Sequence, residues 1–506
     1  MSKSSTDQVE RNHGHNMKDH QQYSINEHSF VHGDKPEEAC GVFGVYAPEE
    51  TVAKLAYFGL YALQHRGQES AGIATFDHGS CYSYKDMGLV SQVFNESILS
   101  NLQGQIAIGH TRYSTTGSSL KVNAQPAVVD TRLGKLALAH NGNLVNTLEL
   151  RAELDSRNSE YVSTTDSEMI AIMIGKEVDS GKDWVEAAIS SFQWCQGAYS
   201  LVIGTPYGMI GARDHYGVRP LVIGTLSQEN NVTRYVLASE TCALDIIGAQ
   251  YLRDVQPGEL VWITEDGLTC HQWHEASKTK LCVFEMIYFA RPDSIMGADS
   301  LYAYRLRLGE QLAKESLTDA DIVMGVPDSG IPAAIGYSRQ SGITYQEGLI
   351  KNRYVGRTFI QPTQHMREHG IRMKLNPLKD VLEGKRVIII DDSIVRGTTS
   401  RKIVRALRDA GAIEVHMKIS SPPVTHPCFY GIDTDSQDHL IAATKSIEDI
   451  ARQIEVDTLT YLSQEGMLKV TTQNPDSFCT ACFNGNYPID IPDDIKRSKL
   501  MLETAK

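Results

Sequence analysis

Val387-Ile-Ile-Ile-Asp-Asp-Ser-Ile-Val-Arg-Gly-Thr-Thr399 is the stretch that decides the fold of the second half of the chain. Four apolar residues lead into two carboxylates and a turn of small residues, and apolar positions at helical spacing follow between Ile403 and Leu407. Gly411 fits the C-terminal cap of this helix, and an alternating strand pattern starts at Val415. The pattern predicts a β-loop-α-β unit, whose loop lies where open α/β sheets bind ligands.

The loop of this unit contains the groups that a phosphate and a divalent cation need. Backbone N–H groups from Arg396 to Thr399, together with the threonine hydroxyls, can surround a phosphate at the start of a helix. Asp391 and Asp392 are suitable for ribose hydroxyls and a hydrated Mg²⁺ ion. Adjacent aspartates are commonly a solvated strand end, but the apolar run before them and the Gly-Thr-Thr after them favour a ligand site.

Two upstream features support a phosphorylated ligand. Val326-Pro-Asp-Ser-Gly-Ile331 follows an apolar run, although such a sequence can also form a plain turn. The segment from Lys351 to Lys374 is basic and contains aromatic residues, which suits a lid over a polyanionic substrate. RNA binding is the rival explanation, and the formal net charge of −14 disfavours it.

A second candidate site lies near the start of the chain, where Cys40 follows Pro36-Glu-Glu-Ala39. Cleavage after Ala39 would leave a terminal cysteine, whose α-amine can take the thiol proton. Residues 1–39 are polar and His-rich, and they lack the apolar core of a secretory signal. This composition predicts a disordered propeptide. A translation start at Met17 would make that propeptide shorter. A lone cysteine in an apolar run is more often a small buried hydrophobe.

Four motifs downstream of Cys40 strengthen its functional interpretation: Gln64-His-Arg-Gly-Gln-Glu69, Gly109-His-Thr-Arg-Tyr-Ser114, Ala139-His-Asn-Gly-Asn143 and Thr165-Asp-Ser-Glu168. The Asn141 side chain and the Gly142 N–H could stabilise an oxyanion. These motifs resemble those of glutamine-hydrolysing enzymes, and by that resemblance Arg112 would bind the α-carboxylate of free glutamine and Asp166 its α-ammonium group. Taken singly, these residues also fit a hairpin turn, a surface cation and a helix N-cap, respectively.

Together with Cys40, these motifs resemble the glutaminase domain of the N-terminal-nucleophile (class II) glutamine amidotransferases. Residues 387–399 resemble the motif with which type I phosphoribosyltransferases bind phosphoribosyl pyrophosphate (PRPP). Both halves together, over about residues 40–485, resemble the amidophosphoribosyltransferase family. The resemblance implies a four-layer αββα glutaminase domain followed by a doubly wound parallel sheet. It also implies that ammonia released from glutamine at Cys40 reaches PRPP through an internal channel. The products would be 5-phosphoribosylamine, glutamate and pyrophosphate, in the first committed step of purine synthesis.

The same resemblance implies ligands and partners. PRPP would be bound by Lys351 and by the loop residues Asp391, Asp392, Ser393, Arg396, Gly397, Thr398 and Thr399. One Mg²⁺ ion per subunit would be held by Ser329, Asp391 and Asp392. Purine nucleotides would inhibit the enzyme, and the subunits would form a homotetramer.

The nine cysteines contain one C-x-x-C pair, Cys479-Thr-Ala-Cys482. Alone, such a pair could be a redox motif, half a zinc site or an accident. The segments around Cys282, Cys428 and this pair resemble the cluster-binding segments of one branch of the family, which implies that Cys282, Cys428, Cys479 and Cys482 hold one [4Fe-4S] cluster per subunit. Tetrahedral zinc is the alternative for a set of four cysteines.

Length and composition agree with two domains, since 506 residues with 41% hydrophobic content can build two cores. No apolar run is long enough to cross a membrane, and we expect a cytoplasmic protein. We predict a propeptide at 1–39, the glutaminase domain at 40–275, the phosphoribosyltransferase domain at 276–470 and a C-terminal segment at 471–506. Within the second domain, residues 435–468 are predicted to form an amphipathic helix, with Ile447, Ile450, Ile454 and Leu459 on one face.

Two other functional classes remain open at this point. A non-catalytic regulator that senses PRPP would have no need of Cys40, Arg112, Asn141 and Asp166 together, and a DNA-binding segment would be expected beside them. An amidotransferase with another acceptor, such as a sugar phosphate or aspartate, would carry a different synthase domain in place of the unit at 387–399.

Overall fold

Two antiparallel sheets form the first half of the chain in the computed structural model, which describes residues 40–113, 118–229, 232–275, 278–352, 375–432, 434 and 437–492. The strands are β1 (Gly41–Tyr46), β2 (Ser70–Asp77), β3 (Ser80–Met87), β4 (Ile106–Arg112), β5 (Ala127–Thr131), β6 (Gly134–Leu144), β7 (Gly197–Thr205), β8 (Gly208–Arg213), β9 (Val222–Glu229), β10 (Val232–Ala238), β11 (Gln250–Asp254), β12 (Glu259–Thr264) and β13 (Gly267–Gln272). One sheet has the order β11-β9-β10-β1-β4-β2-β3 and the other the order β13-β12-β8-β7-β6-β5.

The helices of this half lie outside the two sheets. They are α1 (Val52–Ala62), α2 (Val90–Val93), α3 (Glu96–Asn101), α4 (Thr147–Ser156), α5 (Asp166–Asp179), α6 (Trp184–Phe192) and α7 (Cys242–Asp245), with a 3₁₀ turn at Lys121–Asn123. Hydrophobic residues of both sheets, such as Ile108 and Val202, meet in one core between them. Helix α1 packs on the outer face of the first sheet and α5 on that of the second. The predicted four-layer αββα order is therefore confirmed.

The second half contains a parallel sheet and several two-stranded ribbons. Its strands are β14 (Leu281–Cys282), β15 (Ile295–Met296), β16 (Asp299–Ser300), β17 (Ile322–Gly325), β18 (Leu349–Lys351), β19 (Leu375–Pro377), β20 (Arg386–Asp391), β21 (Glu414–Ile419), β22 (Thr458–Tyr461) and β23 (Phe478–Cys479). The helices are α8 (Leu301–Glu315), α9 (Ile331–Ser341), α10 (Lys379–Leu382), α11 (Thr398–Asp409), α12 (Ile441–Thr444), α13 (Ile447–Ile454), α14 (Gln464–Lys469) and α15 (Ala481–Asn484). A π-helical turn spans Glu285–Phe289, and 3₁₀ turns span Gln437–His439 and Pro475–Ser477.

The parallel sheet has the strand order expected of a doubly wound fold. Strands β17, β20, β21 and β22 are adjacent in that order, and Tyr345 forms a parallel bridge with Val323 on the other edge of β17. Numbered along the chain, the order is 2-1-3-4-5, and it reverses between β17 and β20. Alternate residues face opposite cores: Ile388 packs with α8 and α9, and Ile389 with α11 and α13. Ligands bind outside the carboxyl ends of the strands at such a reversal.

Two details of the predicted secondary structure can be compared directly with the fold. Gly411, with φ of +99°, follows the last turn of α11 and confirms the predicted C-terminal cap. The single amphipathic helix predicted over 435–468 is wrong. Helix α13 ends where Glu455 adopts a left-handed conformation with φ of +66°, and Leu459 lies in β22 opposite Met417. Threonines on both sides of Leu459 favour that strand, a preference that the apolar spacing concealed.

The C-terminal segment is joined to the start of the second half. Strand β23 pairs in parallel with β14, which places Cys479 opposite Cys282. The domain limits proposed from the sequence stay predictions, although β13 ends at Gln272, close to the proposed boundary. Among the described residues, the longest apolar helix falls short of what a membrane crossing requires.

Candidate functional site

Cys40 lies immediately before β1, a central strand of the seven-stranded sheet. Its thiol is almost fully buried and donates a hydrogen bond to the carbonyl oxygen of Tyr113 at 3.3 Å. Burial raises the pKa of the Cys40 thiol to about 12, although the nearby guanidinium of Arg112 works in the opposite direction. Because the thiolate is the nucleophile, this cysteine needs a base at its own position, and a terminal α-amine would be one.

Cys40 opens onto a cavity of about 250 Å³, a volume that includes its mouth to solvent. The lining combines a thiol, charged groups and amide or hydroxyl groups. These residues are Cys40, Arg112, Tyr113, Gln125, His140, Gly142, Thr165, Asp166 and Ser167. The structure thus brings together Cys40, Arg112, Gly142 and Asp166, four of the five residues predicted for glutamine.

Arg112 ends β4, which pairs with β1 beside Cys40. Its side chain is only 2% exposed, and this burial excludes the alternative that it is a surface cation. One guanidinium nitrogen donates to the carbonyl oxygen of Ser118 at 3.3 Å and lies 3.6 Å from the carboxylate of Glu69. A buried guanidinium facing a polar cavity can bind a carboxylate through two hydrogen bonds.

Asp166 is the first residue of α5, and Thr165 is the N-cap whose hydroxyl accepts the N–H of Glu168. The Asp166 carboxylate accepts the N–H of Leu144 at 3.1 Å and lies 3.6 Å from Nδ1 of His140. Burial would raise the pKa of Asp166, but His140 and two backbone N–H groups outweigh it and lower the pKa below its ordinary value. The carboxylate is therefore ionised at neutral pH and can pair with an ammonium group.

Asn141 and Gly142 lie inside β6, which excludes the alternative of a hairpin turn. Strand alternation places His140 and Gly142 at the cavity, whereas Asn141 is absent from its lining. The Asn141 side chain is fully buried, and neither its oxygen nor its nitrogen has a hydrogen-bond partner among the described residues. Gly142 has φ of +144°, and a Cβ atom there would lie 2.0 Å from the carbonyl oxygen of Ala198. This position requires glycine.

The predicted PRPP loop follows β20 at the point where the strand order reverses. Asp391 and Asp392 are each 1% exposed, so they are not a solvated strand end. The Asp391 carboxylate accepts the N–H of Asp392 at 2.9 Å, and Asp392 accepts the hydroxyl of Ser393 at 2.6 Å. Gly397, with φ of +79°, precedes α11, the predicted helix after the loop, which begins at Thr398. Arg396 lies in the loop just before Gly397, and Thr399 is the second residue of α11.

The other predicted PRPP and Mg²⁺ residues lie on neighbouring loops. Ser329 belongs to the loop after β17, and the next residue, Gly330, packs so closely on Ile390 that an added Cβ would lie 2.3 Å from the Ile390 carbonyl oxygen. The loop of Ser329 and that of Asp391 therefore run side by side. Lys351 ends β18 and lies 2.5 Å from the carboxylate of Asp328 in the first of these loops. The rest of the predicted lid, 353–374, lies outside the described residues.

The four predicted cluster cysteines are brought together from distant parts of the chain. Cys282 and Cys479 are opposite each other on paired strands, and the thiol sulfur of Cys428 accepts the N–H of Tyr430 at 3.4 Å. Burial raises the pKa of Cys482 far above its usual range, and repulsion from Cys282, Cys479 and Cys428 adds to this increase. In the described part of the chain, no group of three or more His, Cys, Asp or Glu side chains is arranged to hold a metal ion.

Some residues of the first site had no role in the sequence predictions. The side-chain oxygen of Gln125 accepts the backbone N–H of His140 at 2.8 Å. The ring nitrogen Nδ1 of His140 lies 3.2 Å from the Ser167 hydroxyl. Both His140 and Ser167 fall within motifs quoted above, which is the signal that could have identified them. Gln125 lies between two of those motifs and carries no comparable signal.

Comparisons with known proteins agree with this geometry. Residues 110–245 match the glutamine amidotransferase domain and residues 298–420 the phosphoribosyl transferase domain. The chain is 73% identical to an amidophosphoribosyltransferase of Synechocystis sp. over 473 residues, which cover 93% of this chain and 95% of the relative.

Two solved structures have the same fold over most of the chain. One, described as the allosteric regulatory enzyme of purine biosynthesis, has a TM-score of 0.84 and 47% identity over 90% of this chain and 97% of its own. The other is the glutamine PRPP amidotransferase of B. subtilis in complex with ADP and GMP, with a TM-score of 0.83 and 47% identity over 90% of this chain and 98% of its own. The chain therefore belongs to the amidophosphoribosyltransferase family of purine biosynthesis.

Proposed function

We propose that this chain hydrolyses glutamine at Cys40 and transfers the ammonia through the protein interior to PRPP, giving 5-phosphoribosylamine, glutamate and pyrophosphate. The observation that carries this proposal is that a buried cysteine, Arg112 and Asp166 line one cavity. The membership of the family agrees with it. A cavity with a cation and an anion at fixed positions would select a free amino acid over an amide within a peptide.

The first reaction would proceed through a thioester. After removal of residues 1–39, the α-amine of Cys40 takes the thiol proton, and Sγ attacks the carboxamide carbon of glutamine. The Gly142 N–H stabilises the tetrahedral intermediate, and the Asn141 amide, which lies outside the cavity lining in this structure, would have to turn toward it to contribute. A buried amide without a partner is uncommon, which supports a role for Asn141 in binding a group that forms during the reaction. The C–N bond then breaks, ammonia leaves with a proton, and water hydrolyses the thioester to glutamate.

The second reaction would take place at the loop of residues 391–399. First-turn N–H groups of α11 and the hydroxyls of Thr398 and Thr399 bind the 5-phosphate, and Lys351 interacts with the pyrophosphate. Ammonia attacks C1 of the ribose as the C–O bond to pyrophosphate breaks. Ser329, Asp391 and Asp392 fit a Mg²⁺ site, since buried carboxylates and a hydroxyl on adjacent loops are the oxygen ligands that this ion prefers. When bound, Mg²⁺ would neutralise charge on the leaving pyrophosphate.

We further propose that Cys282, Cys428, Cys479 and Cys482 hold a [4Fe-4S] cluster with a structural role. The four thiols come from paired or packed segments, and they influence one another's ionisation. Tetrahedral zinc is the alternative for a set of four thiolates. Anaerobically purified protein should contain about four iron and four sulfide per chain. One zinc and no sulfide would contradict the assignment.

The relative from B. subtilis was solved with ADP and GMP. We propose that purine nucleotides also inhibit this chain, and that it assembles as a homotetramer. Initial rates with increasing ADP and GMP test the first point: inhibition is expected, and unchanged rates up to millimolar nucleotide would contradict it. Native mass spectrometry tests the second, and a monomer at micromolar concentration would contradict it.

The Cys40→Ala variant tests the main proposal. We expect loss of product formation with glutamine and retention of product formation with ammonia, because the second site needs no thiol. Cys195→Ala is the matched control, since Cys195 is another buried cysteine of the same half and lies outside the cavity lining. Glutamine-dependent activity that survives in Cys40→Ala would overturn the assignment of the nucleophile.

A further inference from the structure

A fully buried arginine holds the backbone of Cys40. Nε of Arg66 donates to the carbonyl oxygen of Cys40 at 3.1 Å, and the rest of the guanidinium is held by two carboxylates. Nη1 donates to Glu240 at 2.6 Å and to Glu285 at 2.9 Å, and Nη2 donates to Glu285 at 2.6 Å. The side chains of Arg66, Glu240 and Glu285 have no exposed surface. Two buried carboxylates thus hold this guanidinium, which in turn bonds the Cys40 carbonyl.

One of these carboxylates comes from the second half of the chain. Glu285 lies three residues after Cys282, on the π-helical turn Glu285–Phe289. It also accepts a hydrogen bond from Arg219 at 2.9 Å, and Nε of Arg219 donates to the carbonyl oxygen of Tyr430 at 2.9 Å. Tyr430 lies two residues after Cys428. The network therefore links Cys40 to two of the segments that carry the proposed cluster ligands.

The other side of the same turn is held from the phosphoribosyl half. Arg305 of α8 is buried and donates to the carbonyl oxygens of Met286 at 2.9 Å and Ala290 at 2.7 Å. Burial lowers the pKa of Arg305 to about 10, although attraction to Asp392 of the PRPP loop and to Glu240 opposes that effect. The turn 285–290 thus lies between an arginine within electrostatic reach of the PRPP loop and an arginine bonded to Cys40.

The position of the Cys40 backbone matters for catalysis because it determines where Sγ lies relative to the carboxamide of glutamine. A displacement of about 1 Å at a reacting atom can cost about 100-fold in rate. A buried guanidinium with a missing carboxylate partner must shift or recruit water, since an unpaired buried charge is strongly unfavourable. Loss of the Glu285 charge should therefore move Arg66, and with it Cys40, while Arg112 and Asp166 keep their own contacts.

We propose that Glu285 is a positioning residue of the glutaminase site, through which the phosphoribosyl half fixes the orientation of Arg66 and of the Cys40 backbone. This inference rests on the proposed function of Cys40. It adds that the nucleophile is held in place from across the junction of the two halves, so that the second half is needed for glutamine chemistry as well as for use of the ammonia.

The test is Glu285→Gln in the full-length protein, compared with Glu259→Gln. Glu259 is a buried carboxylate that pairs with Arg253 through two nitrogens, at 2.7 and 2.8 Å, and has no contact with the Cys40 network. For Glu285→Gln we expect glutamine-dependent kcat to fall at least about 10-fold, with KM for glutamine and ammonia-dependent kcat within about 2-fold of wild type. The alkylation rate of Cys40 by a chloroketone analogue of glutamine should fall by a similar factor. Glu259→Gln should leave the ratio of the two activities unchanged.

Two results would overturn the proposal: an activity ratio that is unchanged in Glu285→Gln, whether or not both activities fall together, or a fall that accompanies loss of iron. If Glu285→Gln does not fold, Arg66→Lys serves instead, because lysine keeps the charge but cannot bind Cys40 and two carboxylates in one plane. It should show the same split, and an unchanged ratio would equally overturn the proposal. The Cys40→Ala variant distinguishes a wrong role for Glu285 from a wrong role for Cys40. If Cys40 is the nucleophile, this variant lacks glutamine-dependent activity whether or not Glu285 positions it.

Discussion

The two candidate sites are built in different ways. The Cys40 cavity lies within antiparallel sheets, and its lining comes from β4, β6, α5 and the segments that precede β1 and β5. The PRPP loop joins one strand to one helix at the carboxyl end of a parallel sheet, beside the loops that follow β17 and β21. Covalent catalysis at Cys40 needs several groups held around one atom, whereas phosphoribosyl transfer needs a polar loop that holds a ligand. If the two sites work separately, a substitution in the Cys40 cavity should spare the ammonia-dependent reaction, and one in the PRPP loop should spare the reactivity of Cys40.

The largest effect is expected for Asp391→Asn. Removal of one carboxylate from the PRPP and Mg²⁺ loop should lower product formation from either nitrogen source by at least about 100-fold. Stoichiometric labelling of Cys40 by the chloroketone analogue should persist. Asp380→Asn is the control, because Asp380 is an exposed carboxylate of the same half on α10. If ammonia still supports normal turnover in Asp391→Asn, the location of the second site is wrong.

Gly142→Ala should affect only the other site. The added Cβ would lie 2.0 Å from the Ala198 carbonyl oxygen at φ of +144°, so β6 must shift and carry the N–H of residue 142 with it. We expect glutamine-dependent kcat to fall about 100-fold and ammonia-dependent kcat to stay within about 3-fold. In the control Gly181→Ala, φ is also positive at +115° but the site is open, and both activities should persist. Equal losses in the two activities would indicate general unfolding.

A smaller effect, on substrate affinity, is expected for Asp166→Asn. Loss of the charge that pairs with the α-ammonium group should raise KM for glutamine by about 10- to 100-fold. Because the pKa of Asp166 lies below its ordinary value, the wild-type carboxylate stays ionised and KM should not rise between pH 8 and pH 5 on its account. Asp179→Asn, at the other end of α5, should leave KM unchanged. An unaltered KM in Asp166→Asn would remove this residue from the site.

The smallest effect is on acid stability. Burial lowers the pKa of His110 to about 3, although the carbonyl of His140 accepts its Nε2–H. The unfolded state, with a pKa near 6.5, binds more protons below that pH, so stability falls as the pH drops. From pH 7 to pH 5 this one group should cost about 2 kcal/mol. Urea unfolding of wild type and His110→Gln at both pH values measures it, and identical pH dependence would refute the assignment.

The same contrast explains what the sequence could predict. The residues of the unit at 387–399 are consecutive in the sequence. Its strand, loop and helix could therefore be predicted from apolar spacing and from the residues of one turn. The αββα half and the motifs around Cys40 were predictable only through resemblance, because their residues meet across strands distant in sequence. The fold places Cys40, Arg112 and Asp166 around one cavity as that resemblance implied.

Other features had no local signal in the sequence. Arg66 and Glu285 are 219 residues apart; Arg66 lies in a motif quoted for the Cys40 site, and Glu285 follows Cys282 by three residues. Their pairing depends on how two domains pack, and no periodicity records that. The helix predicted over 435–468 failed because Ile447, Ile450 and Ile454 do form an apolar face, whereas Leu459 matches that spacing only by coincidence.

The central claim is that Cys40, released as the first residue of the chain, supplies nitrogen to a separate PRPP site. Intact mass and N-terminal sequencing of purified protein with measured glutamine-dependent activity test it most directly. We expect an active protein that begins Cys-Gly-Val-Phe-Gly and lacks residues 1–39. A protein that retains those residues and is fully active with glutamine would contradict it.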